Sequence, residues 1–393
     1  MNLLFLSTAF PQPGDPLRAP YNLKLCEALS RSHHVTVIAP VAWTRVRPRQ
    51  RPVAALPRVH HPTFVYPTGV LHSTHAWWLW HSIRLTARAA MDERKPDAVI
   101  SYWTWPDGAA AARLARSYDV PSVMIVVGSD VLVRAADPAH RGRVERTLAQ
   151  ASVVITVSQQ LRGAVAAIGV PPDRIVVIRR GVDHDVFFPG SRRDARQRLR
   201  ITDSDPVLLW VGRLSPVKGP DLLLDALERL AWSTARSWRC VMIGEGPLRA
   251  RLMRRVHRGR LRTRVSFIDR VDPHVLADWY RTAHAVVLSS RSEGVPNVLY
   301  EAKACGTPVV ATNVGDVAQF LGDGDCVVPA GNAERLAGGI AAVLQQSGAA
   351  PAASSLPTWE DSAAALADVI VQVRSPLPVG HFTPRVASAG PFI

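Results

Sequence analysis

The chain has 393 residues, 47% of them hydrophobic and 20% charged, which is enough apolar material for two or three cored domains and excludes wholesale disorder. No apolar run reaches the roughly 18–20 residues that would cross a bilayer. Four scattered cysteines (Cys26, Cys240, Cys305 and Cys326) exclude a disulfide framework or a Cys/His metal cluster, so reduced thiols filling cores are expected.

The formal net charge is +15. Nearly all of the positive charge is arginine; the lysines are Lys24, Lys95, Lys218 and Lys303. Such an excess suits anionic partners: nucleic acid, phosphorylated small molecules or an anionic membrane surface. A genomic preference for arginine codons is the competing explanation.

The opening segment MNLLFLSTAF lacks a basic start and a small-residue cleavage site, so it reads as a buried strand and not as a leader. A cytoplasmic location is expected on that ground, with the inner face of the membrane as the alternative.

Short apolar runs then alternate with helical stretches. Strands are predicted at 2–7, 34–40, 97–102, 122–127, 152–158 and 174–180, with helices at Tyr21–Ser30, Gly108–Ser117 and Arg141–Ala149. The segment Gly181–Asp205 is polar and arginine-rich and breaks the rhythm. Strands resume at 206–212, 239–244, 264–269, 285–290 and 308–312, and a last helix is predicted over Thr358–Arg374. Alternating strands and helices imply βαβ units and parallel sheets. The reading is an α/β chain of two doubly wound domains joined near 181–200. Two such domains facing each other leave a cleft at the carboxyl ends of their strands, where open sheets bind ligands.

The richest segment is SSRSEGVPNVLYEAKACGTPVVAT, 289–312. Gly294 permits a turn, Val295 follows, and Pro296 suits the first turn of a helix running to Cys305. Gly306 would stop that helix. First-turn amides near Asn297, Val298 and Leu299 would face a diphosphate. Glu293 and Glu301 could grip hydroxyls on two parts of an extended ligand; solvated surface acids are the alternative.

A second segment, WVGRLSPVKGPDLLLDALERL (210–230), puts Arg213 and Lys218 beside a helix start opened by Gly219-Pro220. They could neutralise a diphosphate leaving group, or be two surface cations. A third, MIGEGPLRARL (242–252), sets Gly244, Glu245 and Gly246 at a strand end; alone it is a common turn.

Together these segments resemble the family-four retaining glycosyltransferases. The family pattern stands here as GRL…KG, IGEGP and SEGVPNVLYEAKACGTPVVAT, covering most of 206–331. Looser landmarks are YWTWPDGAAAARLAR (102–116), VGSDV (127–131), TVSQQL (156–161), IRRGVDHDVFFP (178–189) and TWEDSAAAL (358–366).

The resemblance implies the GT-B fold, two Rossmann-like domains facing across a cleft. The acceptor domain would span 1–185 and the nucleotide-sugar donor domain 186–355. Residues 356–374 would form a closing helix crossing back to the first domain, followed by a mobile tail, 375–393. The implied enzyme is a retaining, hexosyltransferase-type glycosyltransferase with no metal and no cofactor beyond a nucleotide-diphosphate sugar co-substrate. Its acceptor would be a glycan or a lipid-linked sugar. Arg213 and Lys218 would bind the diphosphate, Glu301 the ribose, and Glu293 the donor sugar near its 3- and 4-hydroxyls. Amides around Val298 and Leu299 would cap the diphosphate, and the Gly244–Gly246 loop would approach the base. Gly128 and Asp130 would lie on the acceptor side.

The chain departs from the family pattern in four places. Val127 stands where His or Arg is frequent, and Arg18-Ala19-Pro20-Tyr21 where a glycine is usual. Arg180 replaces an asparagine, and Gly315-Asp316 and Gln319 replace a glycine pair and a glutamate. A nucleotide-sugar-binding or regulatory protein without turnover is the second reading. Nucleic-acid binding is disfavoured, because no helix-turn-helix, zinc finger or RNA-binding signature is present. Trp77, Trp78 and Trp80, with Arg84, would sit at a membrane interface, line an acceptor site or fill a core.

Overall fold

The computed structural model describes residues 1–46, 58–69, 71–132, 135, 137–233, 237–345 and 356–374. The tail 375–393 lies outside the described residues. Two compact units emerge: Met1–Arg179 with the helix Trp359–Arg374, and Arg180–Thr358.

Among the described residues the first unit carries nine strands: β1 (Asn2–Leu6), β2 (His34–Ile38), β3 (Val41–Ala42), β4 (Val59–His60), β5 (Thr63–Phe64), β6 (Ala98–Tyr102), β7 (Ser122–Val126), β8 (Val153–Thr156) and β9 (Ile175–Val177). Seven form one parallel sheet in the order β4-β2-β1-β6-β7-β8-β9, and β3 pairs with β5. The six strands predicted here are all present. The two-residue strands β3, β4 and β5 were not anticipated.

Its helices are α1 (Pro20–Ser30), α2 (His75–Glu93), α3 (Ala109–Ser117), α4 (Ser129–Leu132), α5 (Pro138–Leu148) and α6 (Gln159–Ala167). Alternate strand residues point to opposite faces. Thus Leu3, Phe5 and Ile100 pack with Leu25 and Leu29 of α1, while Leu4, Leu6 and Val99 pack with Leu79 and Ile83 of α2.

The second unit contains α7 (Arg192–Arg198), α8 (Pro220–Ser233), α9 (Arg249–Arg258), α10 (Pro273–Thr282), α11 (Asn297–Ala304) and α12 (Ala333–Gln345). Its strands are β10 (Val207–Val211), β11 (Arg239–Ile243), β12 (Val265–Ile268), β13 (Ala285–Leu288), β14 (Val309–Thr312) and β15 (Cys326–Val328). All pair in parallel, in the order β12-β11-β10-β13-β14-β15. One face buries Leu208, Trp210 and Met242 under α8, α9 and α12; the other buries Leu209, Val286 and Val309 with Tyr280 and Leu299. Each unit is therefore a doubly wound α/β layer.

Strand order reverses between β1 and β6 in the first unit and between β10 and β13 in the second. At such switch points adjacent connections leave on opposite faces and open a crevice at the carboxyl ends of the strands.

The last helix, α13 (Trp359–Arg374), packs on the first unit. Leu366, Val369 and Ile370 join the core lined by α1. Arg31 pairs with Glu360 at 2.7 Å and Arg374 with Asp97 at 2.6 Å. No helix among the described residues is long and apolar enough to cross a membrane.

Of the tryptophans on α2, Trp78 and Trp80 pack against the core and only Trp77, 51% exposed, stands out, with its ring 3.8 Å from that of His81. Amphipathic helix spacing, with Leu79 and Ile83 inward, accounts for most of this aromatic run.

Candidate active site

The loops after β10 and β13 flank the switch point of the second unit. After β10 the chain makes a short turn, Pro216–Lys218, and Gly219 follows with φ 60°. A Cβ on Gly219 would collide with the Ser289 carbonyl oxygen at the end of β13. Glycine is therefore needed both for its backbone angle and for the approach of the two loops. Ser289 Oγ ties them further, donating to the Gly219 carbonyl at 2.7 Å and accepting from Trp210 Nε1 at 3.0 Å.

This weld brings together residues 75 apart in the chain: Lys218 Nζ lies 2.5 Å from Glu293 Oε1. The Glu293 side chain is 9% exposed. Ser290 Oγ donates to the same carboxylate oxygen at 2.6 Å. Arg213, on the β10 loop, is exposed and makes no ion pair among the described residues.

Arg291 was not anticipated as part of this arrangement. Its guanidinium grips Asp221 through both carboxylate oxygens, at 2.9 and 2.7 Å, and donates to the Pro216 carbonyl at 2.7 Å. The hydrogen bonds from Arg291, aided by its charge, hold the Asp221 carboxyl below its usual range. The clamp fixes the turn that carries Lys218. Its only sequence signal is an arginine next to the Glu293 loop.

Helix α11 begins one residue later than expected. Pro296 is not in its first turn but caps it with extended backbone (φ −73°, ψ 137°). One predicted anion donor is also spent, because the Leu299 amide donates to the Pro296 carbonyl at 3.0 Å. The amides of Asn297 and Val298 have no acceptor among the described residues, and they carry the positive end of the helix dipole. Arg180 reaches the same helix end, its Nη1 donating to Asn297 Oδ1 at 2.6 Å. Gly294 and Val295 are buried beneath this turn. A Cβ on Gly315 would strike the carbonyls of Glu293 and Gly294, so the loop after β14 supports the turn from below.

Glu301 is one helical stretch further along α11 and does not touch Glu293's partners. Its Oε2 accepts from the buried Tyr280 hydroxyl at 2.7 Å. Burial pushes the Glu301 carboxyl up to about 7, against the pull of that hydrogen bond. Tyr280 lies on α10 and carried no local signal of this role.

A Cβ on Gly244 would meet the Gly212 carbonyl, and one on Gly246 the Leu214 backbone. These glycines therefore let the β10 and β11 loops pack on each other. Glu245 between them pairs with Arg270 at 3.4 Å.

In the first unit, Gly128 (φ 135°) precedes α4; the side chain of Asp130 lies outside the described residues. The switch point there holds a buried carboxyl that was not singled out from the sequence. Asp107 accepts from the Thr8 amide at 2.7 Å and from Thr8 Oγ1 at 3.0 Å. Burial pushes it up to about 7, opposed by those hydrogen bonds and by the Arg18 charge. Trp103, four residues before it, holds φ at 104°, a strained angle for a bulky side chain. Ala19, where a glycine was expected, adopts the left-handed conformation itself (φ 46°, ψ 55°).

A buried pair was also missed. Lys303 on α11 and Asp325 are 6% and 1% exposed and lie 2.6 Å apart, and Asp325 also accepts from the Val309 amide at 2.8 Å. No group of three His, Cys, Asp or Glu side chains converges as a metal cage among the described residues.

This geometry can be set beside known proteins. Residues 191–354 match the model of "Glycosyl transferases group 1" and residues 20–186 that of "Glycosyltransferase Family 4". A D-inositol 3-phosphate glycosyltransferase of Xylanimonas cellulosilytica is 33% identical over 326 residues, 73% of this chain and 75% of that protein. D-inositol 3-phosphate glycosyltransferase 2 of Catenulispora acidiphila is 37% identical over 221 residues, 54% of this chain but only 48% of that protein. The sucrose-phosphate synthase structure from Thermosynechococcus elongatus superposes with TM-score 0.79 at 21% identity, covering 95% of this chain and 99% of that one. Anabaena HepE in complex with UDP-glucose gives 0.68 at 19%, covering 95% and 97%. The fold is that of the GT-B proteins. The chain belongs to the group 1, family-four glycosyltransferases.

Proposed function

We propose that the chain transfers a sugar from a nucleotide-diphosphate donor to a hydroxyl acceptor, with retention at the anomeric carbon. The observation that carries this reading is the meeting of Lys218 and Glu293 at 2.5 Å, at the switch point and beside the α11 helix end. A cation, a carboxylate and two available amides suit a ligand that is anionic at one part and hydroxyl-rich at another. The complex of a structural neighbour with UDP-glucose supports a donor of that kind.

In the proposed reaction, Arg213, Lys218 and the Asn297 and Val298 amides hold the diphosphate. Glu293 accepts hydrogen bonds from sugar hydroxyls, and Glu301 from the ribose. The acceptor oxygen attacks the anomeric carbon on the face that the diphosphate leaves. The carbon–oxygen bond to phosphate breaks, and the departing phosphate oxygen takes the acceptor's proton. Charge developing on the diphosphate is met by fixed cations and amides, which lowers the barrier without a protein nucleophile. No metal or cofactor takes part in this proposal.

Glycans and lipid-linked sugars are the proposed acceptors. The relatives' names add a phosphorylated inositol as an acceptor to try first. Uridine, guanosine and adenosine diphosphate sugars should be screened by thermal shift, and each stabilising donor then offered to acceptors with release of nucleoside diphosphate as the readout. At least one donor should raise the melting temperature and support transfer. No shift and no release with any donor would overturn the reading. A shift without transfer would favour the second reading, a binding protein without turnover. The left-handed backbone at Ala19 weighs against that reading, because the glycine-like geometry survives the loss of glycine.

A further inference from the structure

The net charge of +15 is not spread evenly. Residues 249–264, RARLMRRVHRGRLRTR, hold eight arginines and no acid, a charge of +8 − 0 = +8 in 16 residues. The segment comprises α9 and the loop leading into β12. Leu252, Val256 and Leu261 anchor it in the core. With one turn per 3.6 residues, that inward stripe turns Arg254, His257 and Arg258 outward, with Arg251 at their flank.

Among the described residues, Arg249 pairs with Asp269 at 2.8 Å, and Arg255 with Asp225 and Glu228 at 2.6 and 2.8 Å. Arg251, Arg254, Arg258 and Arg262 are exposed and make no ion pair among the described residues. The patch also carries apolar surface. Trp232, near the end of α8, is 69% exposed, and Met253 is 40% exposed. The Arg260 guanidinium lies 3.6 Å over the Trp232 ring, which orients the indole and covers one of its faces.

We propose that this surface docks on a bilayer rich in anionic phospholipid. Unpaired guanidiniums match lipid phosphates, and an exposed indole suits the headgroup boundary. A single-stranded nucleic acid would want a bare aromatic face for stacking, and here Arg260 occupies one. The segment from Gly259 to Arg264 and the end of α8 lie at the amino ends of the strands. The loops bearing Lys218 and Glu293 follow the carboxyl ends. Docking through the Gly259–Arg264 end of this surface therefore keeps the contact at the opposite end of the sheet from the loops bearing Lys218 and Glu293. The inference does not depend on the proposed chemistry.

The test is co-sedimentation of the full chain with phosphatidylcholine vesicles and with an equal mixture of phosphatidylcholine and phosphatidylglycerol. Binding to the mixture alone, weakening from low to physiological salt, is expected. Reversing Arg254, Arg258 and Arg262 to Glu should lower partitioning by more than about 30-fold, and Trp232→Ala by several-fold. Nucleotide-sugar thermal shifts should be unchanged in both variants. In the wild type, anionic vesicles should slow amide exchange in 249–264, a readout that needs no variant. No binding at low salt would overturn the proposal. So would binding that survives the triple reversal but is lost in Trp77→Ala. Tighter, reversal-sensitive binding to an oligonucleotide than to vesicles would replace it with a nucleic-acid surface.

Discussion

Lys218 Nζ and Glu293 Oε1 stand 2.5 Å apart, with Ser290 Oγ on the same carboxylate oxygen. The cation and the carboxylate of the candidate site thus neutralise each other. A donor bringing both phosphate and hydroxyls can replace this one contact with two. In the proposed reaction, that exchange would tie charge neutralisation to sugar placement.

We predict that Lys218→Met and Glu293→Gln each lower transfer by about 100-fold or more. Glu293→Gln should leave the melting temperature little changed, whereas Lys218→Met should lower it, because the 9% exposed Glu293 carboxylate loses its cation. Steady-state kinetics with the best donor checks this. Full activity in both variants would remove these residues from the site.

Glu301 gives donor binding a pH signature. Its carboxyl sits near 7 because of burial, and ribose hydroxyls bind its ionised form. Donor affinity should therefore rise with pH, by up to about tenfold per unit below 7, and level off above. A nucleotide sugar carries no phosphate proton that titrates in this range. Calorimetry between pH 5.5 and 8.5 should show the slope in the wild type and none in Glu301→Gln.

Gly219→Ala should cost more than about 2 kcal/mol, since the new methyl meets the Ser289 carbonyl and the backbone angle is left-handed. Gly322→Ala, with open space around it, should stay within about 0.5 kcal/mol. Urea unfolding of the pair distinguishes steric need from ordinary glycine entropy.

Asp107 predicts a stability change of definite sign. Its carboxyl is about 7 folded against 3.8 unfolded, so between those values the folded chain holds a proton that the unfolded chain has released. Stability should fall as pH rises from about 4 to about 7, by at most about 1.4 kcal/mol per unit from this group, and be flat above. Asp107→Asn should flatten the slope; denaturation midpoints across that window measure it.

The sheets were legible because parallel strands buried on both faces are written as short apolar runs; all eleven predicted strands are found. β15 was missed: it is three residues long, lies at the sheet edge, and follows a Gly-Asp-Gly-Asp turn. The loops with Glu293 and Lys218 were legible because turn glycines, a proline and charged residues are concentrated there. Their supports were not. Tyr280, Arg291 with Asp221, and Asp325 act across 21, 70 and 22 residues, and local patterning does not record such pairings. Asp107 lay within a quoted landmark, but only burial distinguishes it from any loop aspartate.

The placement of α13 bears on how the chain is made. The second unit, Arg180–Thr358, is a continuous stretch that holds all its own strands as soon as Thr358 leaves the ribosome. The first unit, though synthesised earlier, waits with Phe5, Val37 and Ile100 short of the cover that Leu366, Val369 and Ile370 supply. Nascent-chain order is thus reversed: the half that emerges first is finished last. A nascent chain that has released Thr358 but not yet α13 would hold a completed second unit and a first unit with one sheet face still partly bare.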